Sequence, residues 1–169
     1  MSVDVDNFFK DNDHYIVELN IDPESLPSIS PEMGHERRVA IFDLLEENAF
    51  RLIESDKGPY ILNLKLQGSS KLIFTVSRDG MDDQLDVSLS LTPFRRIIKD
   101  YFMICESYHN AIRTATSAQI EAIDMGRRGL HNEGSRLLTD CLRNQIEMDF
   151  KTSRRFFTLI CSLHRRGVT

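Results

Sequence analysis

The chain has 169 residues, enough for one domain with a buried core, and its net charge is −5 at pH 7. No apolar run approaches the roughly 20 residues of a membrane span, and the acidic N-terminus lacks the basic and apolar blocks of a signal peptide. The three cysteines, Cys105, Cys141 and Cys161, lie in apolar helical patterns without CxxC spacing. We therefore expect buried thiols, no disulfide and a cytoplasmic protein.

The two halves of the chain differ in charge. Residues 1–92 hold 8 Lys and Arg against 18 Asp and Glu, whereas residues 93–169 hold 13 against 8. This asymmetry has two interpretations: the halves attract each other, or the basic half meets an anionic partner.

The N-terminal region predicts a tail, a strand and a loop. Residues 1–13 form an acidic tail that we expect to be frayed. Tyr15, Val17, Leu19 and Ile21 alternate with polar residues, which predicts a strand over 14–21 with these four on its buried face. The segment DPESLPSISP that follows contains three prolines and is typical of a loop.

A helix and a set of alternating runs come next. Val39, Phe42, Leu45 and Ala49 mark the apolar side of a predicted helix over about 34–48, and residues 50–53 suit a short strand. Three alternating runs, 60–66, 72–76 and 85–91, are separated by the connectors QGSS and RDGMDD, which are typical of hairpins. They predict an antiparallel meander with one apolar face that needs a cover.

The remaining chain is helical in pattern. Thr92-Pro93 supplies an N-cap residue and a proline at the first helical position, and the broad apolar stripe that follows is expected to cover the sheet. Thr116 and Gln119 have capping-box spacing and start the next helix. After Asp149 a last helix is predicted to end at Gly167.

These elements predict one α+β domain over residues 1–169: the tail 1–13, a strand–helix–meander part 14–92 and a helical part 93–169. Its sheet is an antiparallel meander of four or five strands, crossed by one helix and covered by three C-terminal helices.

Three glycines interrupt the longest helical pattern. Gly126, Gly129 and Gly134 lie within residues 116–150, and each costs about 1 kcal/mol relative to alanine in a helix interior. Either a neighbouring element approaches closely there, or the helix breaks near Gly129 and restarts at Asn132. If close contact is the reason, we expect Gly129→Leu to lower the melting temperature.

The same segment carries the candidate binding residues, which are Arg127, Arg128, His131, Asn132 and Glu133. A histidine beside a carboxylate is a common arrangement for acid–base chemistry. No nucleophile accompanies it, however, and the glycines do not follow a strand in nucleotide-binding order. A structural network, or recognition of a partner, is the simpler interpretation.

A basic surface is predicted if the helices stack side by side. It is formed by Arg95, Arg96, Arg127, Arg128, Arg154, Arg155, Arg165 and Arg166. Such a surface attracts nucleic acid through phosphate contacts. Against this interpretation, the aromatic residues lie in the apolar stripes and not among the arginines.

Two E-x-x-H pairs have the spacing of helical metal ligands. They are Glu32 with His35 and Glu106 with His109. Two such pairs are only a mild excess over chance, and the sheet separates them along the chain. Glu106 and His109 are therefore weak metal candidates, and we expect no metal and no cofactor.

Four segments resemble an uncharacterised protein family of alphaproteobacteria, number 0262 among the families of unknown function. They are HERRVAIFDLLEEN, LSLTPFRRIIKDYF, RTATSAQIEAIDMGRRGLHNEGS and SRRFFTLICSLHRRG. The resemblance covers the chain from about residue 34 onward, and the string RGLHNEGS makes it specific. It implies a bacterial, cytosolic, stand-alone protein, but no activity, ligand or catalytic residue.

The function expected from the sequence is a non-enzymatic binding or regulatory module, with its surface centred on residues 126–134 and an unknown protein partner. One alternative is a small enzyme that uses a His/Glu/Arg site in that segment. The other is a nucleic-acid- or ribosome-associated protein that uses the basic helical half. No membrane partner is expected, and the oligomeric state stays open.

Overall fold

Strands and helices both contribute to the fold, which is α+β as predicted. The computed structural model describes residues 13–55, 57–78 and 80–164, so the expectations for residues 1–12 and for Gly167 lie outside the described residues. The strands are β1 Ile16–Ile21, β2 Phe50–Leu52, β3 Tyr60–Gln67, β4 Lys71–Arg78, β5 Gln84–Ser90 and β6 Ile146–Met148. The helices are α1 Pro31–Glu46, α2 Arg95–Thr114, α3 Ser117–Leu142 and α4 Phe150–Leu163.

The larger sheet is mostly antiparallel. Its strand order is β1-β3-β4-β5; β3, β4 and β5 pair antiparallel in sequence, and β1 pairs parallel to β3. Gly68, in the connector between β3 and β4, has a φ of +65°, a left-handed conformation that glycine adopts without strain. β2 pairs with β6 in a separate two-stranded sheet, and β6 had no clear signal in the sequence.

A bulge changes the inward face of β1. The register shifts between Ile16 and Glu18, so Ile16 is 2 % exposed while Val17 is 41 % exposed. Leu19 and Ile21 pack against the core as predicted, but Tyr15 and Val17 do not. The extra residue reverses the alternation at the start of the strand, which a strict period of two misses.

The outer edge of β1 is held by one side chain. Asn48 Oδ1 accepts the Ile16 backbone N–H at 2.7 Å, and Asn48 Nδ2 donates to the Ile16 carbonyl at 3.0 Å and to the Leu44 carbonyl at 2.6 Å. The amide therefore takes the place of a neighbouring strand at this residue and joins the sheet to the end of α1.

Replacing Asn48 by alanine is expected to lower the free energy of unfolding by about 2 kcal/mol, because partly buried backbone groups lose their partners. Urea unfolding followed by circular dichroism measures the change. Asn20→Ala is the matched control, since the Asn20 side chain makes an exposed 3.3 Å bond to Glu18 on the same strand. Equal effects of the two substitutions would contradict the proposed role of Asn48.

The apolar side of α1 is not the side predicted. Val39, Phe42 and Leu45 are exposed, Phe42 by 63 %, and the buried residues are Met33, Ala40 and Leu44. The buried side of α1 faces α4 and β1 and includes the small residue Ala40. The larger apolar residues lie outside this side, so their spacing predicted the wrong side of the helix as buried.

The aromatic residues of α4 connect the helices to both sheets. The Phe156 ring lies 6.2 Å from Phe50 of β2 and 6.0 Å from Phe74 of β4, centroid to centroid. Phe156, Phe157, Ile160 and Leu163 are buried, as the helical pattern predicts. α4 also lies against α1 and α3, and α3 against α2.

Helix ends and cysteines partly follow the sequence. The capping box at the start of α3 is confirmed, with Gln119 N–H to Thr116 Oγ1 at 3.2 Å and Thr116 N–H to Gln119 Oε1 at 3.0 Å. Thr92 does not cap α2, because residues 92–94 form a 3₁₀ turn before the helix starts.

The cysteines are free thiols, and Cys141 is exposed, contrary to prediction. Among the described residues, no helix combines the length and apolarity needed to cross a membrane.

Candidate functional site

The glycine-containing segment is continuous helix. α3 runs from Ser117 to Leu142, so the alternative of a break near Gly129 with a restart at Asn132 is wrong. Gly134 is buried, and a Cβ added there would overlap the ring of Phe157 on α4. Close contact with a neighbouring helix is therefore the reason for glycine at this position.

The other two glycines differ from Gly134. A Cβ at Gly126 would lie 2.8 Å from the Ile104 Cδ1 atom, which is the movable end of a side chain. A Cβ at Gly129 would meet nothing within 4 Å, so the close-contact explanation is wrong at that residue.

Small hydroxyl residues extend the close approach of α3 and α4. Ser153 Oγ donates to the Ser135 carbonyl at 2.7 Å, and Thr139 Oγ1 donates to Ser153 Oγ at 3.0 Å. Ser135 and Ser153 are both fully buried. These bonds and the contact at Gly134 fix the two helices side by side, which sets the positions of the polar residues beyond them.

A groove opens between α1, α3 and α4, with Tyr101 of α2 in its lining. Its volume is about 410 Å³, within the range of roughly 300–1,000 Å³ that is usual for small-molecule sites. The lining is formed by His35, Glu36, Val39, Ala40, Asp43, Tyr101, Arg127, Arg128, His131, Arg154, Arg155 and Thr158. We refer to this set as the arginine groove.

The arginines contributed by α3 are paired with a carboxylate. Asp124 accepts from Arg127 Nη2 at 2.7 Å and from Arg128 Nη2 at 2.9 Å. The Arg127 guanidinium also stacks on the Tyr108 ring, 3.9 Å from its centroid, which adds a cation–π interaction. Arg127 is therefore held in place, whereas Arg128 is largely exposed.

The arginines contributed by α4 are paired only with neutral oxygen atoms. Arg154 Nη1 donates to the side-chain oxygen of Asn132, and Arg155 Nη1 donates to the Glu47 backbone carbonyl at 2.7 Å. Among the described residues, no carboxylate oxygen lies within 4.0 Å of either guanidinium. The guanidinium groups of the groove that lack a carboxylate partner therefore lie on α4.

His131 is buried between aromatic rings. Its ring centroid lies 5.5 Å from Tyr101 and 5.1 Å from Phe157, edge to face in both cases, and the residue is only 9 % exposed. His131 Nε2 and Thr158 Oγ1 are 2.8 Å apart, while Nδ1 has no hydrogen-bond partner among the described residues. Burial, together with the charges of Arg154 and Arg127, lowers the pKa of His131 to about 4.

Glu36 of α1 adds a carboxylate to the groove. Its Oε2 atom is buried without a hydrogen-bond partner in the described part of the chain. Burial raises the pKa of Glu36, against the opposing effect of the nearby Arg127, His109 and His35 charges. Burial also raises the pKa of Tyr101, so the phenol stays protonated.

Comparison with known proteins places the chain in a family. The profile described as "Uncharacterised protein family (UPF0262)" matches residues 13–166. The chain belongs to this family. The match begins at residue 13, earlier than the sequence resemblance, which was recognised from about residue 34 onward.

Relatives in alphaproteobacteria are similar over most of their length. The UPF0262 protein of Rhizobium meliloti is 59 % identical over 144 residues, which covers 85 % of this chain and 90 % of the relative. The UPF0262 proteins of Brucella anthropi and Brucella canis are each 56 % identical over 153 residues, or 90 % of this chain and 94 % of theirs. No solved structure matches the chain.

The structure of this UPF0262 member divides the predicted surface. Arg127, Arg128 and His131 line the arginine groove, and Asn132 reaches it by accepting from Arg154. Glu133 lies elsewhere, in a cavity of about 660 Å³ between α2 and α3. Residues 126–134 are one helical segment, so their side chains point to different sides of α3.

The predicted basic surface is also divided. Arg96 lines the same second cavity as Glu133, and Arg95 lies near His164, whose pKa is lowered by burial and by the Arg95 charge. Arg154 and Arg155 join Arg127 and Arg128 in the groove, while Arg165 and Arg166 lie outside the described residues. The six arginines among the described residues are therefore divided between different parts of the helical surface.

The weak metal candidates Glu106 and His109 do not belong to a group of metal ligands in the described part of the chain. Glu106 is exposed. The half-buried His109 ring packs edge to face against the Tyr108 ring, with 5.8 Å between the ring centroids. Within residues 13–55, 57–78 and 80–164, no group of three or more His, Cys, Asp or Glu side chains has the geometry of a metal site.

Sequence reasoning missed most of the groove outside α3. Glu36 and Asp43 were not singled out, although they flank the buried Ala40 at spacings of four and three residues on one side of α1. Thr158 and Tyr101 were also missed. Polar residues on the same side of a predicted helix as a small residue are the signal that indicates a site between packed helices.

Proposed function

We propose that this protein is a binding or regulatory module whose arginine groove takes an anionic group. The observation that carries the proposal is the pair Arg154 and Arg155, consecutive residues whose side chains both line a concave site and, among the described residues, hydrogen-bond only to neutral oxygens. Guanidinium groups bind carboxylate and phosphate with paired hydrogen bonds, and each such charge-assisted bond contributes about 1.5–3 kcal/mol.

A compact anion suits the groove better than a nucleic acid. The arginines are gathered in one cavity of about 410 Å³, not spread along a track, and Glu36, Asp43 and the neighbouring Asp124 lie among them. A polyanionic backbone gains affinity from many exposed cations, and these carboxylates would repel it. The divided positions of Arg95 and Arg96 support the same choice.

Replacing Arg154 and Arg155 together by glutamine is expected to weaken the binding of inorganic phosphate at least tenfold, because two charge-assisted contacts are removed. Isothermal titration calorimetry at low ionic strength measures the dissociation constant. Thermal unfolding of the double variant checks that it is folded, since Arg155 also bonds to the Glu47 carbonyl.

The matched control is the double substitution Arg96→Gln and Arg113→Gln, which removes the same charge from exposed positions outside the groove. The control is expected to change phosphate affinity less than twofold. Similar losses in both double variants would mean that net charge alone attracts phosphate, and the proposal would fail.

An enzyme is the second candidate function. The 2.8 Å contact between Thr158 Oγ1 and His131 Nε2 resembles a hydroxyl nucleophile beside a base, and it lies in a concave site with a perturbed histidine. Two features make it second. No carboxylate in the described part of the chain orients the ring through His131 Nδ1, and a pKa of about 4 makes the imidazole a weak base at neutral pH. Phosphorus NMR of a phosphate ester incubated with the protein tests it through release of inorganic phosphate.

A further inference from the structure

Among the described residues, two buried side-chain atoms of the arginine groove have no hydrogen-bond partner. One is the Oε2 atom of Glu36 and the other is the Nδ1 atom of His131, and both residues line the same cavity. Buried polar atoms are nearly always hydrogen-bonded, and leaving one without a partner costs about 1–3 kcal/mol. Two such atoms in one lining point to a common partner that donates hydrogen bonds.

The hydrogen bonds around His131 determine which kind of partner suits Nδ1. Thr158 Oγ1 donates to the Arg154 carbonyl at 3.4 Å, so its hydroxyl hydrogen is directed along α4 and its lone pairs accept from His131 Nε2. The neutral ring then carries its proton on Nε2 and a lone pair on Nδ1.

The surroundings of Glu36 favour an uncharged donor over an ammonium group. The positive charge of Arg127 acts on the Glu36 carboxyl, and four guanidinium groups line the cavity. An ammonium group brought into this region is repelled by the guanidinium groups, whereas a hydroxyl group donates a hydrogen bond without adding charge. The donor expected at the buried end is therefore a hydroxyl group.

The charge at α4 indicates the other end of the ligand. Arg154 and Arg155 are consecutive in sequence, lack carboxylate partners among the described residues and line the same cavity. A phosphate monoester carries a charge of about −1.5 to −2 at pH 7 and accepts hydrogen bonds on three oxygens. It matches two unneutralised guanidinium groups better than a singly charged carboxylate does.

We propose that the ligand of the arginine groove is a hydroxyl-bearing phosphate monoester, with its phosphate on Arg154 and Arg155 and its hydroxyl donating to His131 Nδ1 or Glu36. This proposal rests on the proposed function, since it requires that the groove bind an anion. It adds the chemical class of the ligand and its orientation. The volume of about 410 Å³ suits a small polyol phosphate.

Three probes of equal phosphate content test the proposal by calorimetry. They are α-glycerophosphate, which carries hydroxyl donors, n-propyl phosphate, which carries none, and O-phosphoethanolamine, which carries an ammonium group. We expect α-glycerophosphate to bind about fivefold more tightly than n-propyl phosphate, as one added hydrogen bond allows. Equal affinities of these two probes, or tightest binding of the ammonium probe, would overturn the proposal.

Two variants of His131 locate the hydroxyl. His131→Leu is expected to remove most of the preference for α-glycerophosphate while n-propyl phosphate keeps its affinity. His131→Asn is expected to retain part of the preference, because its side-chain oxygen can accept where Nδ1 does. If both variants bind like the wild type, Glu36→Leu, which removes the acceptor, repeats the comparison, and a preference that survives in all three variants overturns the proposed orientation.

Failure of this proposal and failure of the proposed function give different results. If none of the three phosphates binds to the wild type, or if Arg154→Gln with Arg155→Gln has no effect, the anion-binding function fails. If all three bind alike and depend on these arginines, only the ligand class is wrong. Nitrogen NMR of the His131 imidazole gives an independent readout, and a proton on Nδ1 contradicts the tautomer on which the class rests.

Discussion

Replacing Gly134 by alanine is expected to lower the free energy of unfolding by about 3 kcal/mol, since extra volume in a close-packed core strains its neighbours. The added Cβ would overlap the Phe157 ring, which is fully buried and packs edge to face on both Tyr101 and His131. The ring has no open side to move into without disturbing the arginine groove. Urea unfolding of the wild type and the variant, followed by far-ultraviolet circular dichroism, measures the difference.

Gly129→Ala is the matched control on the same helix. Apart from the chain neighbours and the local helix backbone, no described atom lies within 4 Å of an added Cβ at this residue, so the main change is in backbone preference, and stability is expected to rise by about 1 kcal/mol. A second control is the pair Gly134→Ala with Phe157→Leu, in which the smaller side chain makes room and the two effects are expected to be less than additive. Equal effects at Gly134 and Gly129 would contradict the contact with α4.

The glycines illustrate how far the sequence leads. Their cost in a helix indicates that a neighbour approaches closely, and this inference is correct for Gly134, whereas the neighbour of Gly126 is the movable end of the Ile104 side chain. It is wrong for Gly129, because the pattern does not tell which side of α3 meets α4. The expected destabilisation by Gly129→Leu therefore has no basis in the structure, and a test of close packing belongs at Gly134.

The strands show the same division between local and non-local information. Alternation along β3 and β4 predicts the buried residues Leu62, Leu64, Phe74 and Val76, because each strand has one face on the core. Alternation fails at the start of β1, where a bulge inserts one residue before Glu18. The parallel pairing of β1 with β3 is likewise invisible in the pattern, since it depends on how α1 and β2 return the chain to the sheet.

The arginine groove could be predicted only in part for a related reason. Arg127, Arg128 and His131 are close in sequence and were found because an unusual helix segment carries them. Arg154 and Glu36 belong to α4 and α1, and they join the site only because the close approach at Gly134 and the packing of α1 on α4 bring these helices together. A single sequence does not show which helices this packing brings together.

Stability is expected to fall by about 3 kcal/mol between pH 6.5 and pH 4 through His131 alone, because its folded pKa of about 4 lies well below the ordinary value of 6.5. Above pH 6.5 the imidazole is neutral in both states and contributes no pH dependence. As the pH falls, the unfolded chain takes up the proton first, so unfolding becomes easier until the folded form also protonates near pH 4. Urea unfolding across this range measures the free energy at each pH.

His131→Gln removes the titrating group and keeps a side-chain N–H for Thr158 Oγ1, so the wild-type free energy minus that of the variant isolates this histidine. His14 and His164, whose pKa values are also lowered by burial, remain in both proteins and cancel in the difference. The difference is expected to decline from pH 6.5 to pH 4 and then to level off. A difference that stays constant with pH would show that His131 titrates normally, and the dry, cationic surroundings inferred for the buried end of the groove would then be wrong.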